Sequence, residues 1–121
     1  MNALLVVAHG SRASESNEEV IRLAESLNRR PDSGFDTVLC AFNQFSEPTA
    51  EQQIKALVDL GARMITVFPY FIAAGSHVRV DLPELIEAAR KTYPQIQFRL
   101  SPHFGAFHGV ADLIVRELKK G

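Results

Sequence analysis

The sequence predicts an α/β fold, a single domain built on a four-stranded parallel sheet flanked by helices. Three observations lead there. Short apolar runs alternate with amphipathic stretches four times, in the order βαβαβαβα. The first run, Leu4-Leu5-Val6-Val7-Ala8, is apolar without interruption, as befits a strand covered on both faces. No linker, low-complexity run or shift of composition divides residues 1–121. Four strands joined this way are expected in the order 2-1-3-4, half of a doubly wound sheet with right-handed crossovers.

The elements follow in sequence. The first strand covers 3–8, and a polar segment 10–17 comes after it. Ser16 and Glu19 have capping-box spacing, so a helix is expected to begin there, with Val20, Leu23, Ala24 and Leu27 as its buried stripe. Residues 29–34 close it. The second strand is 36–42 and its loop 43–47. Pro48 suits a first helical turn, Thr49 and Gln52 have capping-box spacing, and Gly61 suits the helix end. The third strand, 64–68, stops at Pro69, which cannot donate to a ladder. A long loop, 70–80, leads to a helix expected to start at Asp81. The fourth strand is 96–100. A turn, 101–109, precedes a last helix whose Val110, Leu113, Ile114 and Leu118 are expected to face inward.

Composition narrows the function. A hydrophobic fraction of 46% supports a real core, and a formal net charge of −1 argues against a nucleic-acid partner. No apolar run approaches the roughly 18 residues of a membrane span, and no signal-peptide pattern opens the chain. With one cysteine, Cys40, no internal disulfide forms, and a buried thiol in a reducing cytoplasm is expected.

Chemistry-bearing residues collect at the strand ends. His9-Gly10-Ser11-Arg12 follows strand one, and Gly75-Ser76-His77-Val78-Arg79 follows strand three. In the order 2-1-3-4 these strands are neighbours whose connections diverge, and the crevice beyond their carboxyl ends is where such sheets bind ligands. His9 and His77 are then expected side by side as metal ligands. Two neutral imidazoles suit cobalt, nickel, iron or zinc, and two ligands alone hold a metal loosely enough to release it. Arg12 and Arg79, with Ser11 and Ser76, favour an anionic ligand. Phe42, Phe45, Tyr70, Phe71, Phe104 and Phe107 stand at or beyond strand ends, where some could wall a flat ligand by stacking. Glu47, His103 and His108 are candidate extra bases. No dinucleotide fingerprint follows strand one. A phospho-acceptor domain would need an acid where His9 and Pro69 stand, and a histidine phosphatase an arginine where Ala8 stands.

These residues resemble the small CbiX-type sirohydrochlorin chelatases. The likeness lies in His9-Gly10-Ser11-Arg12, Ala41-Phe42, Glu47-Pro48, Pro69-Tyr70-Phe71, Gly75-Ser76-His77-Val78 and Asp81-Leu82-Pro83. It implies a flavodoxin-like half-chelatase unit that inserts a divalent metal into sirohydrochlorin or a related tetrapyrrole for cobalamin or sirohaem synthesis. The metal would be Co2+, or alternatively Fe2+ or Ni2+, held by His9 and His77. It is a substrate, and no permanent cofactor is implied. One histidine or Glu47 would take the pyrrole protons, while Ser11, Arg12, Ser76, Arg79, Phe42 and Phe71 would bind substrate. Short members would build the cleft as a homodimer, since one rim cannot enclose a tetrapyrrole. The chain departs from the family pattern at Asn43-Gln44, where an acid is usual, and at Phe104-Gly105-Ala106-Phe107-His108 in the last turn. The rival expectation is a non-catalytic metal or tetrapyrrole carrier using the same residues.

Overall fold

A computed structural model describes the backbone of residues 1–121 and every side chain except that of His77. Four parallel strands, β1 (Asn2–Ala8), β2 (Thr37–Phe42), β3 (Met64–Pro69) and β4 (Gln97–Leu100), lie in the order β2-β1-β3-β4. Four helices alternate with them: α1 (Ser14–Asn28), α2 (Ala50–Asp59), α3 (Leu82–Thr92) and α4 (Val110–Lys120). The expected architecture and strand order are both observed.

The register follows from the apolar run. β1 is central, and its Ala3–Ala8 segment pairs with Thr37–Phe42 on one side, while Asn2–Val7 pairs with Met64–Pro69 on the other. Successive side chains alternate between faces, so each half of the run feeds a separate core. Leu5 and Val7 meet Ile54 and Leu57 of α2 and Ile86 of α3. Leu4 and Val6 meet Val20 and Ala24 of α1 on the other face. Cys40 is buried there as expected, and burial raises its thiol pKa from the ordinary value.

Several boundaries differ from expectation, each for a local reason. α1 starts at Ser14 with Ala13 before it and no side-chain cap, so Ser16 and Glu19 form no capping box. The tie that holds this end comes from Asn17 instead, as described below. α2 starts after Thr49, leaving Pro48 outside the helix. The Thr49–Gln52 capping box is present, with Gln52 N–H donating to Thr49 Oγ1 at 3.2 Å and Thr49 N–H to Gln52 Oε1 at 2.8 Å. Gly61, at φ +100°, follows α2 in the left-handed conformation that terminates helices.

The segment 70–80 is only partly loop: His77–Asp81 forms one wide π-type turn leading straight into α3. Asp81 is therefore already helical and its side chain does not cap. The largest correction concerns α4. Leu113, Ile114 and Leu118 are exposed, and no residue of this helix is buried. Amphipathic spacing sets which side is apolar; it does not supply the surface that side meets.

Candidate active site

The strand register builds the rim. Ala8 pairs with Phe42 and Val7 with Pro69, so β1, β2 and β3 end together, and the residues after them share one edge. His9 is the first residue beyond β1 and is exposed. Its imidazole meets the ring of Phe71 nearly edge-on, with centroids 4.4 Å apart and planes at 71°. Phe71 is 5% exposed and Phe42 2%, so in this chain both rings support the rim from below and offer a ligand little face.

The turn carrying His9 is held by main-chain bonds. Gln44 N–H donates to His9 O at 2.7 Å and Asn43 N–H to Ala8 O at 2.9 Å. Gly10 lies at φ +86°, and a Cβ there would stand 1.9 Å from Gln44 O. Only glycine lets the two loops approach this closely.

A side-chain knot adds to this. Asn17, one turn into α1, accepts from Ser11 N–H at 2.9 Å and donates to Ser11 O at 2.7 Å. It also donates to Ser46 Oγ at 2.7 Å, and Ser46 donates to Ser11 O at 3.0 Å. Ser11 Oγ accepts from Ala13 N–H at 3.0 Å, so its hydroxyl shapes the turn. Sequence reasoning missed Asn17 and Ser46. Their spacing to Ser11 matches no named motif, and only the tertiary approach of two loops joins them.

Arg12 is exposed and lies over the ring of Phe45, 4.7 Å from guanidinium carbon to centroid. Glu47 accepts from Gln52 Nε2 at 2.9 Å, on the α2 side of the rim. Across the rim, Ser76 and Arg79 are exposed, and Arg79 Nε donates to Ala74 O at 3.2 Å. The main chain of His77 begins the wide turn before α3. Its imidazole lies outside the described residues, so the expected meeting of His9 and His77 is carried only by the adjacency of β1 and β3. His103 immediately precedes the short turn Phe104–Ala106, and His108 is exposed just after it.

Two hollows open here. One of about 280 Å³ is bordered by His9, Ser11, Asn17 and Tyr70. A larger groove of about 650 Å³ runs between α2 and α3 and reaches Asn43 and Gln44. Among the described residues, no group of three or more histidine, cysteine, aspartate or glutamate side chains could enclose a metal ion. Among the described residues, no helix is long and apolar enough to cross a membrane.

The CbiX family model matches residues 3–121. The chain belongs to the CbiX family. Among its relatives, a Sulfolobus acidocaldarius protein described as a sirohydrochlorin cobaltochelatase is 32% identical over 120 residues, 99% of this chain and 92% of that one. A Priestia megaterium sirohydrochlorin ferrochelatase is 28% identical over 120 residues, but these are 44% of its length. Among solved structures, the sirohydrochlorin chelatase SirB from Bacillus subtilis subspecies spizizenii, in complex with cobalt, aligns at a TM-score of 0.82 and 28% identity. That match covers 98% of this chain and 50% of SirB. This CbiX chain thus spans about half the length of the Priestia and Bacillus proteins and nearly all of the Sulfolobus one.

Proposed function

We propose that this CbiX chain is a sirohydrochlorin metal chelatase: a cytoplasmic enzyme that inserts a divalent ion, Co2+ foremost and Fe2+ or Ni2+ as alternatives, into sirohydrochlorin. Residues 1–121 act as one chelatase domain. The observation that carries this reading is the placement of His9: exposed, braced edge-on by Phe71, and one strand away from the segment bearing His77. The full-length match to a short cobaltochelatase supports it.

The chemistry follows from what insertion requires. Two pyrrole N–H protons must leave, and a dication must pass from protein to ring nitrogens. A neutral imidazole binds a borderline dication, and its pKa near neutrality lets it take a proton at the same place. His9 and His77 hold the incoming ion weakly, so the four ring nitrogens outcompete them. One histidine, or Glu47, accepts protons as the nitrogens coordinate. Arg12 and Arg79 pair with the peripheral carboxylates of the macrocycle, each contributing about 1.5–3 kcal/mol where the pair is well formed. Ser11 shapes the turn that presents Arg12, and Ser76 stands beside His77 as a substrate-binding hydroxyl.

Size points to two copies. The hollow beside His9 measures about 280 Å³, below the roughly 300–1,000 Å³ of ordinary small-molecule sites. A tetrapyrrole needs two rims face to face, and a homodimer supplies them.

An anaerobic spectroscopic assay with sirohydrochlorin and Co2+ tests the reading. The wild-type chain should accelerate insertion over many turnovers. His9→Ala and His77→Ala should each lower the rate at least about a hundredfold, within the range ascribed to positioned acid–base groups, with an unchanged circular dichroism spectrum. A spectral change that stops at one equivalent of pigment would instead identify a carrier.

A further inference from the structure

Gly105 sits where the short turn Phe104–Ala106 meets the segment that leaves β3. That segment, 70–76, carries Phe71 behind His9 and runs into the His77–Asp81 turn. Gly105 N–H donates to Phe71 O at 3.0 Å. A Cβ on Gly105 would overlap Ile72 O, and it would stand 2.7 Å from the Ile72 carbonyl carbon and 3.2 Å from its Cα. All three atoms are main chain, so no side chain can swing aside to make room. Gly109, four residues on, has no heavy atom within 4 Å of an added Cβ.

This close approach is not core packing, because Ile72 is 76% exposed and Gly105 is half-buried. Rings seat the turn on the sheet. Phe107 stacks on Phe68 of β3, with centroids 5.2 Å apart and planes at 23°, and Phe104 lies 5.6 Å from Tyr70. The turn is thus fixed to β3 on one side and meets the Phe71–Ile72 main chain on the other. Two paths lead outward from there. The Phe71 ring meets the His9 imidazole edge-on at 4.4 Å. The main chain from Ile72 reaches His77 five residues later, and on the way Gly75 O accepts from Val78 and Arg79 N–H at 3.2 and 3.0 Å.

We propose that Gly105 is a positioning residue for metal insertion. Its missing side chain lets the Phe104–Ala106 turn close on the Phe71–Ile72 main chain. That contact fixes the ring behind His9 and the start of the segment that carries His77. Gly105 acts through these residues, at a distance from the ion and the pigment. The inference rests on the chelatase reading for what the two histidines do; the geometry of the contact stands apart from it.

Histidine side-chain NMR and steady-state insertion kinetics, both on the whole chain, test the role. Gly105→Ala should shift the His9 imidazole resonances, because the Phe71 ring beside them moves. It should also raise KM for Co2+ about 10–100-fold, the cost of disturbing groups that orient metal ligands. Saturating Co2+ should restore most of kcat. Gly109→Ala places the same methyl group in open space and should leave both readouts at their wild-type values. If Gly105→Ala does not fold, Phe104→Leu decides: it loosens the turn without a clash, and should move the His9 resonances and raise the Co2+ KM severalfold. A folded Gly105→Ala chain with unmoved His9 resonances overturns the role. So does a fall in kcat at unchanged Co2+ KM, because a smaller active fraction alone gives that pattern. If the wild-type chain turns over no sirohydrochlorin, the chelatase reading fails, and the His9 resonances alone then uphold or overturn the hold of Gly105 on the rim.

Discussion

The two histidines stand on turns built by opposite means. The His9 turn is clamped: glycine at φ +86° against Gln44, two main-chain bonds from the neighbouring loop, and the Ser11–Asn17–Ser46 knot. The His77–Asp81 turn is a single wide helical turn in which Arg79, Val80 and Asp81 are exposed and Val78 packs on the core. Gly75, just before it, has no heavy atom within 4 Å of an added Cβ, and Ile72 is 76% exposed. The difference teaches that two turns on one edge of a sheet can be held by quite different means. In the proposed chelatase, His9 would be the imidazole on the clamped turn and His77 the one on the helical turn before α3.

The sharpest way to break that contrast is to put the same methyl group on both turns. Gly10→Ala should cost about 3 kcal/mol, combining left-handed strain with overpacking, and it should abolish insertion by moving His9. Gly75→Ala should leave the melting temperature within about 2 °C, since a surface change within ±0.5 kcal/mol shifts it little. Equal effects at the two glycines would end the distinction.

Next in size, Asn17→Ala removes a side chain that satisfies both main-chain groups of Ser11, for a loss of about 1–3 kcal/mol. Chemical denaturation should register it, and kcat should fall further than in an Asn28→Ala control. Arg12→Ala should spare stability and raise KM about tenfold, with kcat nearly unchanged, as the loss of one carboxylate pair requires. A fall in kcat alone would move Arg12 from binding to chemistry.

The smallest effect lies away from the rim. Burial raises the Cys40 thiol above its ordinary 9.0. The unfolded thiol therefore ionises first. The stabilisation is complete below that ordinary value and is lost as pH rises through the folded one. Alkylation of Cys40 at pH 8 should be slow in the native chain and rapid after unfolding; fast native labelling would contradict the burial.

Much of the architecture was legible because it is written in alternation and interruption. An unbroken apolar strand marks the centre of a parallel sheet, and Thr49-x-x-Gln52 marks a helix start. The strand order in turn brings His9 and the 75–79 segment to one edge. What stayed illegible depends on loops meeting. Asn17 reads as one more polar residue at a helix start until Ser46 arrives from another loop. Phe42 and Phe71 stand at strand ends in the sequence, and only the fold shows how deeply they are buried. α4 shows the same limit in reverse, because its stripe was plain in the sequence but the exposure of that stripe was not.

In the proposed chelatase, the stacking of Arg12 on Phe45 would bear on how the pigment is caught. A long cationic side chain normally sweeps through many rotamers and loses that freedom when it grips an anion. Parked against a ring, the guanidinium has surrendered part of it beforehand, so its outer N–H edge meets an arriving carboxylate already aimed. Phe45, which touches no reacting atom, would then govern how fast the macrocycle docks.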